Sequence, residues 1–423
     1  MPRPQLILAP GKEKSLLRRH PWLFSGAVRS INGNPAEGDL VDILAPDGRW
    51  LAVGHYQSES IICKILSFDT PQVDREFFRQ RLQSAVDYRR RLNFRFDSPA
   101  PESLQAQCGG GNTRNESQPS ASTNVFRLVH AEGDYLPGLV CDWYNGTLVM
   151  QAHSVGMHRL FPMLAGLFAE ILGDSLTAVF DKSSATVPGG AVDGFIASPH
   201  SPMPSPEFVV EVLEHGNRMR VNLMEGQKTG FFVDQRENRT LVASLAAGHR
   251  VLNCFGYTGG FSLAALRGGA DYVETVDISK KAIELCNSNV LLNFGPDAPH
   301  RGVVADVLQY MADLDGRHSD FDFIILDPPA FAKNHRSLQQ GLKGYRSINQ
   351  RAMEKLPSGG LLMTFSCSQA VSRDDFQTMA FTAAANAHRR VRIVCRLPHP
   401  PDHPVSIYHP EGEYLKGLLL QVE

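Results

Sequence analysis

Residues 250–277, RVLNCFGYTGGFSLAALRGGADYVETVD, constrain this chain more than any other stretch. Residues 251–255 form a short apolar run with the length of a buried strand. Gly256, Gly259 and Gly260 follow, then an Ala/Leu-rich segment of helical composition, and a second apolar run over 272–276 ends in Asp277. Strand, glycine turn, helix, strand, acid is the order found in one half of a doubly wound α/β sheet. The turn glycines let a ligand approach the backbone, and an acid about 20 residues on is placed to accept from ribose hydroxyls.

The glycines do not follow the G-x-G-x-x-G spacing that aims a helix N-terminus at a pyrophosphate. A nicotinamide dehydrogenase is therefore the remotest reading. The pattern suits a ligand with ribose and adenine but no phosphate, such as S-adenosylmethionine. An ordinary strand–turn–helix with an accidental acid is the competing account of the motif alone.

Downstream, strand and helix patterns alternate as in a mostly parallel, doubly wound sheet. A helix is predicted over 279–293, a strand over 302–305 followed by Asp306, and a strand over 321–326 followed by Asp327-Pro328-Pro329-Ala330-Phe331. A long helix over 337–356 leads to a strand over 360–365 and then Ser366-Cys367-Ser368, while 391–397 and 414–422 read as a closing antiparallel pair. In such a sheet ligands collect at the carboxyl ends of the strands, where Asp277, Asp306, Asp327 and Cys367 all fall. An acid after the second strand suits ribose, and one after the third suits the adenine amino group. The two prolines hold Asp327 in a rigid, extended turn, able to present a carboxylate to the polar edge of a planar base. Cys367 reads as a buried structural thiol in isolation and as a nucleophile beside a base pocket. Just upstream, residues 225–236, EGQKTGFFVDQR, bring polar groups and aromatics suited to a methionine moiety, with Asp234 alternatively a helix N-cap.

The chain of 423 residues has room for two or three domains. Short apolar runs at 6–8, 40–44, 50–54 and 61–66, separated by Gly/Pro/Asn turns, predict a small β-barrel. Within it, Arg18-Arg19-His20-Pro21-Trp22-Leu23-Phe24 sets cations beside aromatics, a mixture able to grip RNA or simply to pack a core. A helix is predicted over 74–92, its Arg89-Arg90-Arg91 serving either the helix dipole or RNA. Residues 97–124 are rich in Ser, Pro, Gly and Asn and read as a flexible insertion carrying Cys108. A small α+β region follows, with a hairpin at Asn145-Gly146, a helix over 155–172, strands near 177–180 and 208–213, and a second Pro/Ser-rich loop over 198–206.

Net charge is -2, but residues 1–95 hold 15 Lys+Arg against 10 Asp+Glu, leaving -7 on the remainder. A basic N-terminal part permits a phosphate-binding surface. No apolar run reaches the length of a membrane span, and no secretory signal opens the chain. Seven cysteines without a C-x-x-C pair argue against a disulfide framework and a zinc site. These features together read as a cytoplasmic protein with reduced thiols, no metal and no membrane partner.

The motifs resemble those of the ribosomal large-subunit methyltransferase I family, bacterial enzymes that form 5-methylcytosine in 23S rRNA from S-adenosylmethionine. The resemblance runs through HPWLFSGAV of a PUA-like RNA-binding domain, FRLVHAEGDYLPGLVCDWY of a central domain, and EGQKTGFFVDQRENR, LNCFGYTGGFS, ILDPPAF and TFSCS of a catalytic domain. The 97–124 insertion departs from the family's compact pattern. The implied architecture is a PUA-like barrel over 1–72, a central α+β domain over 73–215, and a Rossmann-like methyltransferase domain with a seven-stranded, mostly parallel sheet over 216–423. For the cofactor the resemblance implies Gln227, Lys228, Thr229, Phe232, Asn253, Phe255, Gly256, Thr258, Gly259, Asp277, Ile278, Asp306, Val307 and Asp327. It implies Cys367 and Asp327 for catalysis, and Arg18, Arg19, Trp22, Pro328, Pro329 and Phe331 for RNA. A homodimer is a further expectation from the family. Two other classes stay open: a base-nitrogen methyltransferase, since D-P-P-x-F also resembles the amine-gripping motif of those enzymes, and a non-catalytic RNA-binding ribosome assembly factor.

Overall fold

Along 40–44 every second side chain is buried, Val41 and Ile43 against half-exposed Leu40, Asp42 and Leu44, the signature of a sheet with one face on a core. The same period recurs along Gln5–Leu8, while Trp50–Tyr56 and Ile61–Ser67 are buried in longer runs. In the computed structural model they form a six-stranded sheet in the order Trp22–Phe24, Ile61–Ser67, Trp50–Tyr56, Leu40–Leu44, Gln5–Leu8, Val28–Asn32. Leu6, Leu8, Leu23, Val41, Ile43, Ala52, Cys63 and Ile65 fill its core. The structure describes residues 2–96, 123–187, 191–196, 208–314, 320–397 and 399–423. Most of the expected 97–124 insertion, with Cys108, and the 198–206 loop lie outside the described residues.

The chain divides into two compact units. The first comprises 1–216, 221–233 and 401–412; the second comprises 217–220, 234–400 and 413–423. In the first, a second sheet runs in the order Gly194–Phe195, Ala178–Asp181, Thr147–Ala152, Leu139–Tyr144, Val125–His130. Asn145 and Gly146 both take positive φ, 47° and 92°, as a two-residue hairpin of this hand requires. The single helix expected over 155–172 is two, Val155–Arg159 and Phe161–Leu172. Pro162 explains the break: without an N–H it belongs in a helix's first turn, so the second helix must begin beside it. Helix Arg75–Arg91 is capped by Asp74, which accepts from the Phe77 amide at 3.0 Å. Its Arg89 reaches neither RNA nor open solvent. The guanidinium is fully buried, bidentate to Asp134 at 2.5 and 2.8 Å, and donates to the carbonyls of Asp402 and Arg127.

The second unit is the doubly wound sheet. Its strands are β1 (Arg250–Cys254), β2 (Tyr272–Asp277), β3 (His300–Val304), β4 (Phe323–Leu326), β5 (Gly360–Ser366), β6 (Val391–Leu397) and β7 (Lys416–Val422). They lie in the order β3-β2-β1-β4-β5-β7-β6, with only the β7 pairings antiparallel. Among the described residues six α-helices accompany them: α1 (Arg236–Leu245), α2 (Gly260–Arg267), α3 (Lys280–Phe294), α4 (Val307–Asp313), α5 (Leu338–Lys355) and α6 (Arg373–Asn386). The order reverses between β1 and β4, which is the switch point where such sheets bind ligands. Asp234 does not cap α1. It sits in a 3₁₀ turn over Val233–Gln235 and accepts from the Tyr414 hydroxyl at 2.7 Å, while Gln235 holds the N-cap position. Among the described residues no helix is long and apolar enough to cross a membrane, and no cluster of His, Cys, Asp or Glu could hold a metal ion.

Candidate active site

Strand register brings the chemistry-bearing residues to one edge. Cys254 pairs with Val276 on one side and Leu326 on the other, Leu326 pairs with Thr364, and Asp277 pairs with Val304. Residues just beyond these rungs leave the sheet together: Phe255 to Gly259 after β1, Asp306 after β3, Asp327 after β4 and Cys367 after β5.

The glycine turn is shaped by steric need. A Cβ on Gly259, at φ 86°, would lie 2.4 Å from the Cys286 sulfur, and one on Gly256 would lie 2.2 Å from the Thr275 methyl. Phe255 and Tyr257 also take positive φ, 59° and 46°, a strained conformation for non-glycine residues that the surroundings must enforce. Beneath the turn runs a buried polar chain. Asn253 Nδ2 donates to Ser262 Oγ (2.8 Å), which meets Thr275 Oγ1 (2.6 Å), which meets His300 Nε2 (2.8 Å). Burial holds the His300 imidazole down to about 4 and pushes the Cys286 thiol up to about 12, so both stay neutral.

These residues fit S-adenosylmethionine. Asp277 is half-buried and accepts the amides of Tyr257 (3.0 Å) and Ser279 (2.8 Å), one on each oxygen. Each carboxylate oxygen retains further acceptor capacity, as ribose hydroxyls require. Ile278 beside it is 73% exposed, an apolar surface for a purine face. Asn253 Oδ1 is buried with no donor among the described residues, which suits a ligand that brings one. Asp306 is exposed and caps α4 through the Gln309 amide (3.0 Å). Val307 turns into the core, and Thr258 is buried with its carbonyl accepting from Asn289.

The loops after β4 and β5 are tied together by a residue the sequence reading did not single out. The Tyr345 hydroxyl, carried into the core by α5, meets Ser368 Oγ at 2.9 Å, accepts from the Phe331 amide at 3.3 Å and reaches the Pro329 carbonyl at 3.5 Å. The Ala332 amide also donates to Ser368 Oγ. Close approach of the helix depends on Gly341 and Gly344, whose added Cβ atoms would meet Ala332 at 2.6 Å and Phe331 at 3.0 Å. Gly341-x-x-Gly344-Tyr345 was the legible signal for this approach. The Phe331 ring packs on Tyr345 with centroids 4.7 Å apart. Pro328 is buried and Pro329 exposed, while Asp327 and Cys367 are both half-buried.

The remaining expected residues lie in the first unit. Thr229 is buried there, donating to Asp142 Oδ2 (2.6 Å) and meeting the Tyr144 hydroxyl (3.0 Å). Gln227 and Lys228 are exposed, with the Lys228 ammonium 4.8 Å from the Phe232 ring centroid. Arg18 is exposed, Arg19 makes a bidentate pair with Asp69, and the Trp22 indole donates to Glu132 at 2.9 Å while its ring meets His409 edge-on.

Residues 202–420 match the family model of S-adenosylmethionine-dependent methyltransferases, and residues 6–68 match that of a PUA-like domain. Ribosomal RNA large subunit methyltransferase I of Shewanella denitrificans is 37% identical over 423 residues, 99% of each chain. Its counterpart in Escherichia coli is 36% identical over 426 aligned residues, again 99% of each. A solved structure described as a SAM-dependent methyltransferase from Streptococcus mutans shares the fold over 99% of both chains, with a TM-score of 0.79 at 21% identity. The methyltransferase SMU.776 complexed with SAH does so at 0.80 and 22%, also over 99% of both. A Rossmann-like sheet with its glycine turn, and relatives that match over 99% of the chain, make this an S-adenosylmethionine-dependent methyltransferase that belongs to the ribosomal RNA large subunit methyltransferase I family.

Proposed function

We propose that this enzyme methylates carbon 5 of a cytosine in the 23S RNA of the large ribosomal subunit, through a covalent bond to Cys367. One observation carries the reading: a half-buried cysteine ends β5 directly beside β4, whose end bears Asp327. The names of the relatives support large-subunit rRNA as the substrate.

Carbon 5 of cytosine is a poor nucleophile, so the ring must first be activated. The Cys367 thiolate bonds to carbon 6, and the displaced electron pair makes carbon 5 enamine-like. The Asp327 carboxyl spans N3 and the amino group of the base edge and gives N3 the proton that neutralises the adduct. S-adenosylmethionine, held by Asp277 and the glycine turn, supplies the methyl group when bound. Loss of the carbon-5 proton to a base then re-forms the ring double bond, the carbon–sulfur bond breaks, Cys367 departs as thiolate and N3 returns its proton to Asp327. The target base must leave its stack to reach this edge. Arg18 and Arg19 contact phosphates, and Trp22 holds their segment. The domain division 1–72, 73–215 and 216–423, a homodimer and a cytoplasmic location belong to the same proposal, the dimer being open to sedimentation equilibrium.

Trapping tests the chemistry. With S-adenosylmethionine and rRNA carrying 5-fluorocytosine, the fluorine cannot leave as a proton does, and a denaturation-resistant protein–RNA adduct is expected. It should vanish in Cys367→Ala. Methyl transfer to unmodified rRNA without any adduct on the fluorinated RNA would refute the Cys367 mechanism and favour a nitrogen acceptor. RNA binding with neither adduct nor transfer would favour an assembly factor.

A further inference from the structure

Strand β7 enters the sheet antiparallel to β5 with Lys416 opposite Ser366, the residue before Cys367. The Lys416 side chain is almost wholly buried. Its ammonium donates to the carbonyl of Ser368 (2.5 Å) and to that of Tyr414 (2.7 Å). Both acceptors are neutral, and among the described residues no carboxylate makes an ion pair with it. Glu413, the nearby acid, is paired with Arg373. A buried cation without a counter-ion is costly, and a neutral donor such as glutamine could serve two carbonyls as well. The Ser366–Ser368 turn offers one anion to balance it, a thiolate at Cys367.

We propose that Lys416 is a positioning residue that holds Cys367 as its thiolate, by fixing an ammonium on the carbonyl of Ser368, the residue next to the nucleophile. The proposal rests on the Cys367 reading above and adds the source of the thiolate's stability. The thiol proton goes to solvent and the sulfur keeps the electron pair. Burial pulls Lys416 down to about 8, and a charge on Cys367 is the foremost influence opposing that fall, ahead of Glu413. On the opposite flank Tyr345 from α5 stays protonated through burial, with Cys367 also holding its proton on. Around this turn stand Lys416 and Glu413 on the β7 side, Tyr345 on α5, Arg373 at the start of α6, and Asp327 at the end of β4. Of these, Lys416 favours the thiolate, its ammonium being hydrogen-bonded to the residue next to Cys367. Glu413 and Arg373 offset one another.

The test is the pH profile of Cys367 alkylation by iodoacetamide in the full-length protein, read on the Cys367 peptide by mass spectrometry. An unperturbed thiol titrates near ~8.5. Wild type should reach half-maximal rate at least one pH unit lower. Lys416→Gln should move the midpoint up by a unit or more and slow alkylation at pH 7 about tenfold, with Lys416→Arg recovering most of it. A wild-type midpoint at or above ~8.5 overturns the proposal and requires no variant to fold. Superimposable wild-type and Lys416→Gln profiles in a protein of unchanged circular dichroism overturn it equally. The parent reading fails separately: if Cys367→Ala still methylates rRNA, Cys367 is not the nucleophile, whatever the alkylation profile says of Lys416.

Discussion

Tyr345→Phe removes a single oxygen and keeps the ring, so the cavity cost of a core truncation is small. What remains can be worked from the contacts. The Phe331 amide loses its acceptor, and Ser368 Oγ keeps the Ala332 amide but loses its hydroxyl partner. Leaving one such group unsatisfied inside a protein costs about 1–3 kcal/mol. For a unit of this size each kcal/mol lowers the melting temperature by roughly 2–4 °C, so a fall of about 2–12 °C is expected by scanning fluorimetry. The same hydroxyl joins the loop that carries Asp327 to the loop that carries Cys367. Misplacing a reacting group by about 1 Å can cost about 10²-fold in rate, and a loss of about tenfold or more in kcat is expected here. Affinity for S-adenosylhomocysteine by calorimetry should stay within about twofold, because the glycine turn and Asp277 make no hydrogen bond to Tyr345. Ser368→Ala should reproduce part of the loss, and the double variant should fall well short of additivity. A Tyr345→Phe enzyme with wild-type melting temperature and kcat would refute the idea that this hydroxyl organises the two loops.

Three further perturbations follow from particular contacts. Gly259→Ala places a Cβ 2.4 Å from the Cys286 sulfur at φ 86°; calorimetry should show at least about tenfold weaker S-adenosylhomocysteine binding, for a strain of about 1–3 kcal/mol, with circular dichroism preserved. Arg89→Met leaves the Asp134 carboxylate buried without its partner; urea unfolding should show a loss of about 3–5 kcal/mol, largely recovered when Asp134→Leu is added. Burial depresses His300 to about 4 in the folded state, below the ~6.5 of the unfolded chain. The unfolded state therefore binds the proton first, so His300 leaves stability intact above ~6.5 and erodes it progressively as pH falls from there towards 4. Melting temperatures measured across that window should decline less steeply in His300→Asn than in wild type, and parallel slopes would remove His300 from the account.

Most of the second unit was legible because period and punctuation agree along it. Apolar runs bounded by glycine, acid and proline placed β1 to β7 to within a few residues, and four of those runs ended in the residues now at the carboxyl edge. The α6 helix was missed although Ser372 and Asp375 spell its capping box, because its moderate apolar content blurs the helical stripe. In the first unit, composition misled where one residue outweighed its neighbours. Pro162 divides a segment that reads as one helix, and the buried pair with Asp134 takes Arg89 out of a triple-arginine surface.

Local chemistry along the chain is enough to state that a strand turns through glycine into a helix and that an acid follows the next strand, since propensity and spacing act between near neighbours. Register, burial and partnership are different in kind, because they depend on residues far apart in sequence that meet only when the sheet closes. Ser366 lies opposite Lys416 and Leu326 beside Thr364 for that reason alone. Near-neighbour patterns therefore suffice for the fold class, the cofactor motif and the candidacy of Cys367 and Asp327. Long-range closure of the sheet is what joins their loops through Tyr345, leaves Asn253 a buried acceptor beside the glycine turn, and buries a lysine from the last strand against the turn of the candidate nucleophile.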